Sequence, residues 1–129
     1  MEDNVITLLN DNNFAQVGTV NPDNTPHIDT VWFSYQNEQI VIATTMATKK
    51  AKNLQENPNS YIVVTNKNNP YEQAQIKVVL SSIEKDDDLN ICDSIAMQYT
   101  GRPFPQRKHK DRIALVFDII KVKYHIARV

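Results

Sequence analysis

The segment Glu72 to Ile83 limits the fold more than any other part of the chain. Ala74, Ile76, Val78 and Leu80 alternate with Gln73, Gln75, Lys77 and Val79, and a period of two over that length describes a long strand with one polar face. A second long run, from Arg112 to Tyr124 and on toward Val129, alternates Ile113, Leu115, Phe117 and Ile119 before Val122, Tyr124 and Ile126. Shorter strands are predicted at Phe14–Val20, Pro26–Tyr35, Gln39–Thr44 and Ser60–Thr65. Asn21-Pro22-Asp23-Asn24 and Gln36-Asn37-Glu38 are the turns that make the first three a meander. In the second strand His27, Asp29, Val31 and Phe33 share one side, and Ile28, Thr30, Trp32 and Ser34 the other.

Three helices complete the pattern. Asp3 can cap the first, whose stripe is Val5, Ile6, Leu8 and Leu9. Thr48 suits the N-cap of the second, Ala47, Ala51 and Leu54 recur at helical spacing, and Asn57-Pro58 ends it. Asp86-Asp87-Asp88 precede the third, with Leu89, Cys92, Ile95, Ala96 and Tyr99 facing inward. Six mostly consecutive antiparallel strands with peripheral helices predict a mainly β, closed barrel of Greek-key type, because closure removes the exposed edges of a flat sheet. At 129 residues the chain is expected to be one domain, residues 1–129.

Charge and composition exclude several function classes. The net charge of −1 gives no basic track for nucleic acid. No apolar run approaches the ~20 residues of a membrane helix, and the start Met1-Glu2-Asp3-Asn4 is acidic, unlike a signal peptide. A soluble cytoplasmic protein is expected. The lone Cys92 excludes an internal disulfide and belongs with the core. Only two glycines are present, so the fourteen asparagines are expected to take over many of the turn positions. Consecutive carboxylates at Asp86, Asp87 and Asp88 point in different directions, so no metal site is assigned. No side-chain pair has the spacing of a nucleophile and its base, and no catalytic residue is named. His27 reads as a solvated strand end, His109 and His125 as structural. Trp32 is either a core residue or a ring-covering aromatic.

The stretch from Thr44 to Leu54 carries the chemistry. Lys49 and Lys50 fall in the first turn of a helix, where the peptide dipole disfavours cations by roughly 0.3–1 kcal/mol each. An anion there reverses the sign. Free N–H groups, threonine hydroxyls and two ammonium groups would make a phosphate seat, and the alternative is a pair of solvated lysines. The basic segment Arg102, Arg107, Lys108, His109, Lys110 and Arg112 is likewise either an anion contact or a solvated loop.

Pro26-His27-Ile28-Asp29-Thr30-Val31-Trp32-Phe33, the strand-turn-helix Ala43 to Lys50, and Tyr71 to Lys77 occur in this order with Asn53-Leu54 and Asn57-Pro58. In that series the chain resembles the FMN-binding split-barrel proteins, the family of pyridoxamine 5′-phosphate oxidase and its short relatives, over nearly its whole length. The resemblance implies a homodimer with two flavins in grooves between the protomers. It implies that Thr30, Val31 and Trp32 line the isoalloxazine ring, Ala43 and Thr44 run beside ring and ribityl chain, Thr48, Lys49 and Lys50 hold the phosphate, and Gln73 reaches the flavin. The implied function is hydride transfer to or from a small substrate, with FMN, or alternatively F420, as cofactor; short relatives also include flavin or haem binders without an assigned substrate. The chain departs from the oxidases at Asp29, where they place an arginine, and at Val78, where a glycine is usual.

Overall fold

In the computed structural model, residues 1–127 are described. In chain order the elements are helix α1 (Asp3–Asn10), strands β1 (Ala15–Val20), β2 (Pro26–Val31), β3 (Ser34–Gln36) and β4 (Gln39–Thr45), helix α2 (Lys49–Glu56), strands β5 (Asn59–Asn66) and β6 (Asn69–Lys85), helix α3 (Asn90–Thr100) and strand β7 (Arg112–Ile126). All strands join one antiparallel sheet in the order β2-β1-β5-β6-β7-β4-β3. The architecture is the expected mainly β barrel with peripheral helices, but the expected closure is incomplete, since β2 and β3 do not pair with each other. The seam lies between β2 and β3, the two ends of the sheet.

The sheet holds seven strands where the sequence predicts six. The predicted strand Pro26–Tyr35 breaks at Trp32-Phe33, because its first half pairs with β1 and its second with β4, at opposite ends of the sheet. One straight strand cannot reach both partners. The inside-outside alternation survives, with Phe33 fully buried and Pro26, Ile28 and Thr30 exposed. The final strand ends at Ile126, and the expected extension to Val129 reaches beyond the described residues.

The long β6 is bent by shifts in its register with β7 at Lys77/Val78 and between Leu80 and Ser82, since bulges let one strand curl around a barrel. Inside, Val17, Ile62, Ile76, Phe33, Ile40, Ile42, Leu115 and Phe117 form one core, closed at one end by Ala51 and Leu54 of α2 and at another by Val5, Leu8 and Leu9 of α1.

The helix starts differ in detail from expectation. Asp3 sits inside the first turn of α1, and Glu2 holds the cap position without a side-chain bond. Helix α3 starts at Asn90 after a left-handed Leu89, and its cap is remote: the buried Asp86 carboxylate accepts the amides of Ile91 and Cys92 at 2.9 and 2.8 Å. At its C-terminus Gly101 takes the left-handed conformation and donates its amide to Met97 at 2.9 Å. Among the asparagines, Asn12, Asn24 and Asn37 adopt positive φ, the turn role their abundance implies. Among the described residues no helix is long and apolar enough to cross a membrane.

Helix α3 closes the seam. The Tyr99 hydroxyl accepts the Phe33 amide at 3.3 Å and donates to the Asn13 carbonyl at 2.6 Å, while the Gln98 amide donates to the Phe33 carbonyl at 3.3 Å. The bonds to Phe33 satisfy backbone groups at the break, and the bond to Asn13 ties α3 to the segment before β1.

Candidate functional site

The site is built where β4 ends, α2 begins and β2 forms a free edge. Asn53 sets the position of α2: its buried side-chain amide donates to Thr19 Oγ1 at 3.1 Å and to Asn21 Oδ1 at 3.0 Å, tying the helix to the β1–β2 turn. That docking brings Lys50, one turn earlier, against β2. Lys50 Nζ lies 3.2 Å from Asp29 Oδ2, and the lysine side chain is only 10% exposed.

The two lysines thus divide. Lys49 is exposed, as a free ammonium at a helix start can be, whereas Lys50 is a buried half of an ion pair. The anion that offsets the unfavourable dipole at Lys50 is the chain's own Asp29. On its other side Asp29 Oδ1 stands 3.8 Å from His27 Nε2, and His27 Nδ1 is buried without a hydrogen-bond partner. His27 is therefore part of this cluster, not the solvated strand end its position suggests.

Thr48 occupies the N-cap position of α2 in extended conformation, yet its hydroxyl caps nothing in the helix. It accepts from the Thr44 hydroxyl at 3.2 Å and donates to the Thr45 carbonyl at 3.0 Å. The first amides of α2 consequently keep no side-chain acceptor, and an uncapped helix start favours an anion. Across the β1–β2 turn, the Thr25 hydroxyl and amide hold the Asp23 carboxyl below its usual range, with a smaller pull from Lys49.

Thr30, Val31 and Trp32 follow Asp29 directly. With Phe14 and Phe104 they line a groove of about 330 Å³. Tyr99 backs it: its ring stacks on Trp32 at 5.2 Å and on Phe14 at 5.9 Å, while Phe104 meets Trp32 edge-on at 6.5 Å. Because β2 is the end strand of the sheet, alternate N–H and C=O groups along it lack a ladder partner. An apolar groove beside unpaired backbone donors and acceptors suits a flat heterocycle with a polar edge.

Of the other predicted residues, Thr44 joins the cluster through Thr48, but its side chain points inward and is buried. Ala43 faces the opposite side of β4, paired with Ala114. Gln73 is not brought to the groove. It stands on β6, three strands from β2 in the sheet order and so roughly 14 Å across, where its side-chain oxygen accepts the Gln75 amide at 3.3 Å.

The basic segment resolves into separate roles. Arg107 pairs with Asp93 at 2.9 Å, holding that carboxyl below its usual range, and the Phe104 amide donates to the same carboxylate at 3.0 Å. Arg112 is buried with its guanidinium 4.8 Å from the Phe104 ring centre and its Nε without a partner. Lys108, His109 and Lys110 are exposed and line a broad cavity of about 820 Å³ with Ala47 at the entry to α2. Cys92 is buried as expected, and burial pushes its thiol up. Among the described residues no three His, Cys, Asp or Glu side chains converge on a metal position.

Sequence reasoning missed the partnership of Asp29 with Lys50 and the aromatic set of Phe14, Tyr99 and Phe104. A signal for the first was present: Asp29 shares its face with Val31 and Phe33, so a carboxylate on an inward face needed a cation. The aromatic set brings Phe14 and the Tyr99–Phe104 stretch to Trp32, three segments far apart in the chain, and left no local trace.

Comparison with known proteins agrees with the fold. The chain superposes on a solved structure named F420 reductase with a TM-score of 0.87 at 22% identity, covering 95% of this chain and 98% of that one. General Stress Protein 26 from Bacillus anthracis str. Sterne matches with a TM-score of 0.74 at 17% identity, covering 95% and 92%. A pyridoxamine 5′-phosphate oxidase-related, FMN-binding protein from Nostoc punctiforme PCC 73102 gives 0.63 at 19% identity, covering 93% and 75%. A search of curated proteins gives no match. At these identities the structures share the fold. The sequence model described as pyridoxamine 5′-phosphate oxidase matches residues 1–126, and the chain belongs to that family of split-barrel proteins.

Proposed function

We propose that the protein binds FMN, or F420 as an exchangeable cosubstrate, along the free edge of β2, and that it is an oxidoreductase acting on a small molecule. One observation carries the reading: a single strand, β2, connects an aromatic-lined groove at Thr30, Val31 and Trp32 to a lysine-bearing, uncapped helix start that touches it at Asp29. A planar ring with a phosphorylated tail needs both, in that order. The neighbours named F420 reductase and FMN-binding protein support the same two cofactors.

When bound, either cofactor supplies hydride transfer. The chain's own part is binding and exclusion of water. Unpaired backbone groups of β2 would meet the polar edge of the ring, Trp32 and Phe104 would cover it, and Lys49 with the free amides of α2 would hold the phosphate. Gln73, on the outer side of the sheet, meets such a ring only from a second copy laid over the first, so the functional unit in this reading is a homodimer. A haem reading needs a histidine as axial ligand; His27 is turned toward Asp29, and exposed His109 is the one that lines a cavity near α2, so a Soret band on adding haem would favour that reading instead.

The test is to add FMN and F420 to the purified protein, follow flavin or deazaflavin fluorescence, and measure the mass of the complex by sedimentation. Saturation at one ring per protomer on a dimer is expected, with reduction of the bound ring by a nicotinamide donor or a candidate substrate marking an enzyme. Absence of binding by both cofactors refutes the reading. Binding by a monomer refutes the role of Gln73 alone.

A further inference from the structure

The proposed phosphate position contains its own anion, and that fixes how much negative charge it can accept. This inference rests on the cofactor reading above. Lys50 is nine-tenths buried with its ammonium 3.2 Å from Asp29, and an ammonium left without an anion in such a place is costly. On its other side Asp29 Oδ1 stands 3.8 Å from His27 Nε2, beyond hydrogen-bond reach, so Lys50 is the close partner of the carboxylate. The pair satisfies Lys50 in the free protein, and breaking it to free Lys50 would leave the Asp29 carboxylate unpaired beside the incoming phosphate. Two ammonium groups and one carboxylate leave one unit of positive charge, carried by exposed Lys49, and the helix start adds about half a unit. Lys49 is itself drawn on by Asp23.

We propose that Asp29 is a specificity-determining residue, and that the site prefers a phosphate bearing a single negative charge, a phosphodiester, over a doubly charged phosphomonoester. A monoester phosphate near pH 8 carries about two charges. Its second charge would lie beside the Asp29 carboxylate with no free cation to answer it. A diester brings one charge, which Lys49 and the α2 amides match. Replacing Asp29 by a neutral isostere frees Lys50 for the ligand and should reverse the preference. Removing the Lys50 charge should deepen it.

Three flavins with one ring separate the contributions: riboflavin has no phosphate, riboflavin 4′,5′-cyclic phosphate is a diester, and FMN is a monoester. Each is titrated by fluorescence at pH 8 into the wild-type protein, Asp29→Asn and Lys50→Gln, with circular dichroism as the check of folding. The ratio of FMN affinity to cyclic-phosphate affinity is expected to rise about tenfold or more in Asp29→Asn, as one unit charge is lost a few ångströms from the phosphate, and to fall severalfold in Lys50→Gln. If Asp29→Asn fails to fold, the opposite shift in Lys50→Gln carries the test. A ratio constant within twofold across the folded proteins overturns the proposal. Equal binding of all three flavins by the wild type also overturns it, while leaving the ring site standing. Failure of every flavin to bind any of the proteins refutes the flavin reading itself, and the proposal with it.

Discussion

Two adjacent lysines with the same sequence signal have different physical lives. Lys49 is solvated and touches nothing that holds the fold together, so Lys49→Ala should leave stability within about 0.5 kcal/mol while weakening any phosphorylated cofactor severalfold. Lys50→Ala removes the cation from a largely buried pair and leaves Asp29, itself 35% exposed, without its partner. Discounted for that exposure, the cost should be about 1–2 kcal/mol. Urea unfolding of the two variants measures the contrast, and equal stabilities would mean that the ion pair contributes nothing. The doublet was legible in the sequence as an electrostatic oddity, because position in a helix follows from caps and periodicity. Which lysine would be buried was not, because that depends on the docking angle of α2, set by Asn53 through Thr19 and Asn21.

Local pattern sufficed for most elements, and failed where two elements compete for one segment. The alternation in Glu72 to Ile83 led directly to β6, and that from Arg112 to Tyr124 to β7. The alternation from Pro26 to Tyr35 is just as regular, yet that segment is two strands, because its two halves pair with partners at opposite ends of the sheet. Nothing in its own residues records that. The break is instead written in α3, where Tyr99 bonds to Phe33 and Asn13 and stacks on Trp32. Tyr99→Phe keeps the stack and removes the hydroxyl, leaving the Phe33 amide and the Asn13 carbonyl short of a partner. A loss of about 1–3 kcal/mol follows, with little change in Trp32 fluorescence. Tyr99→Leu should lose the stack too, and shift that emission. If Tyr99→Phe unfolds at the wild-type urea concentration, the seam is closed by packing alone.

At the scale of the whole molecule, charged clamps at separate places respond to pH together. Asp93 is held low chiefly by its bond from Arg107, Glu72 by the Tyr124 hydroxyl, and Asp23 by the Thr25 hydroxyl. A carboxyl whose folded pKa lies below its unfolded value, here 3.8 for the aspartates and 4.5 for Glu72, stabilises the fold above that unfolded value. The contribution disappears as pH falls through the lower, folded pKa. Tyr124, raised chiefly by its bond to Glu72, and Tyr99, raised chiefly by burial, act in the opposite sense from an unfolded value of 10.0: their contribution is whole below that value and is lost as pH rises through the folded one. Stability set by these groups should therefore hold a plateau from about pH 5 to pH 9 and fall on both sides. Asp93→Asn isolates one clamp, the tie between α3 and the loop carrying Phe104. The variant should be less stable than wild type at pH 7, and its unfolding free energy should fall less steeply below pH 4, so that the two curves converge in acid. Curves that stay parallel from pH 7 to pH 3 would show that the Arg107 pair adds no proton-linked stability, and that the acid limit of the fold is set by other carboxyls.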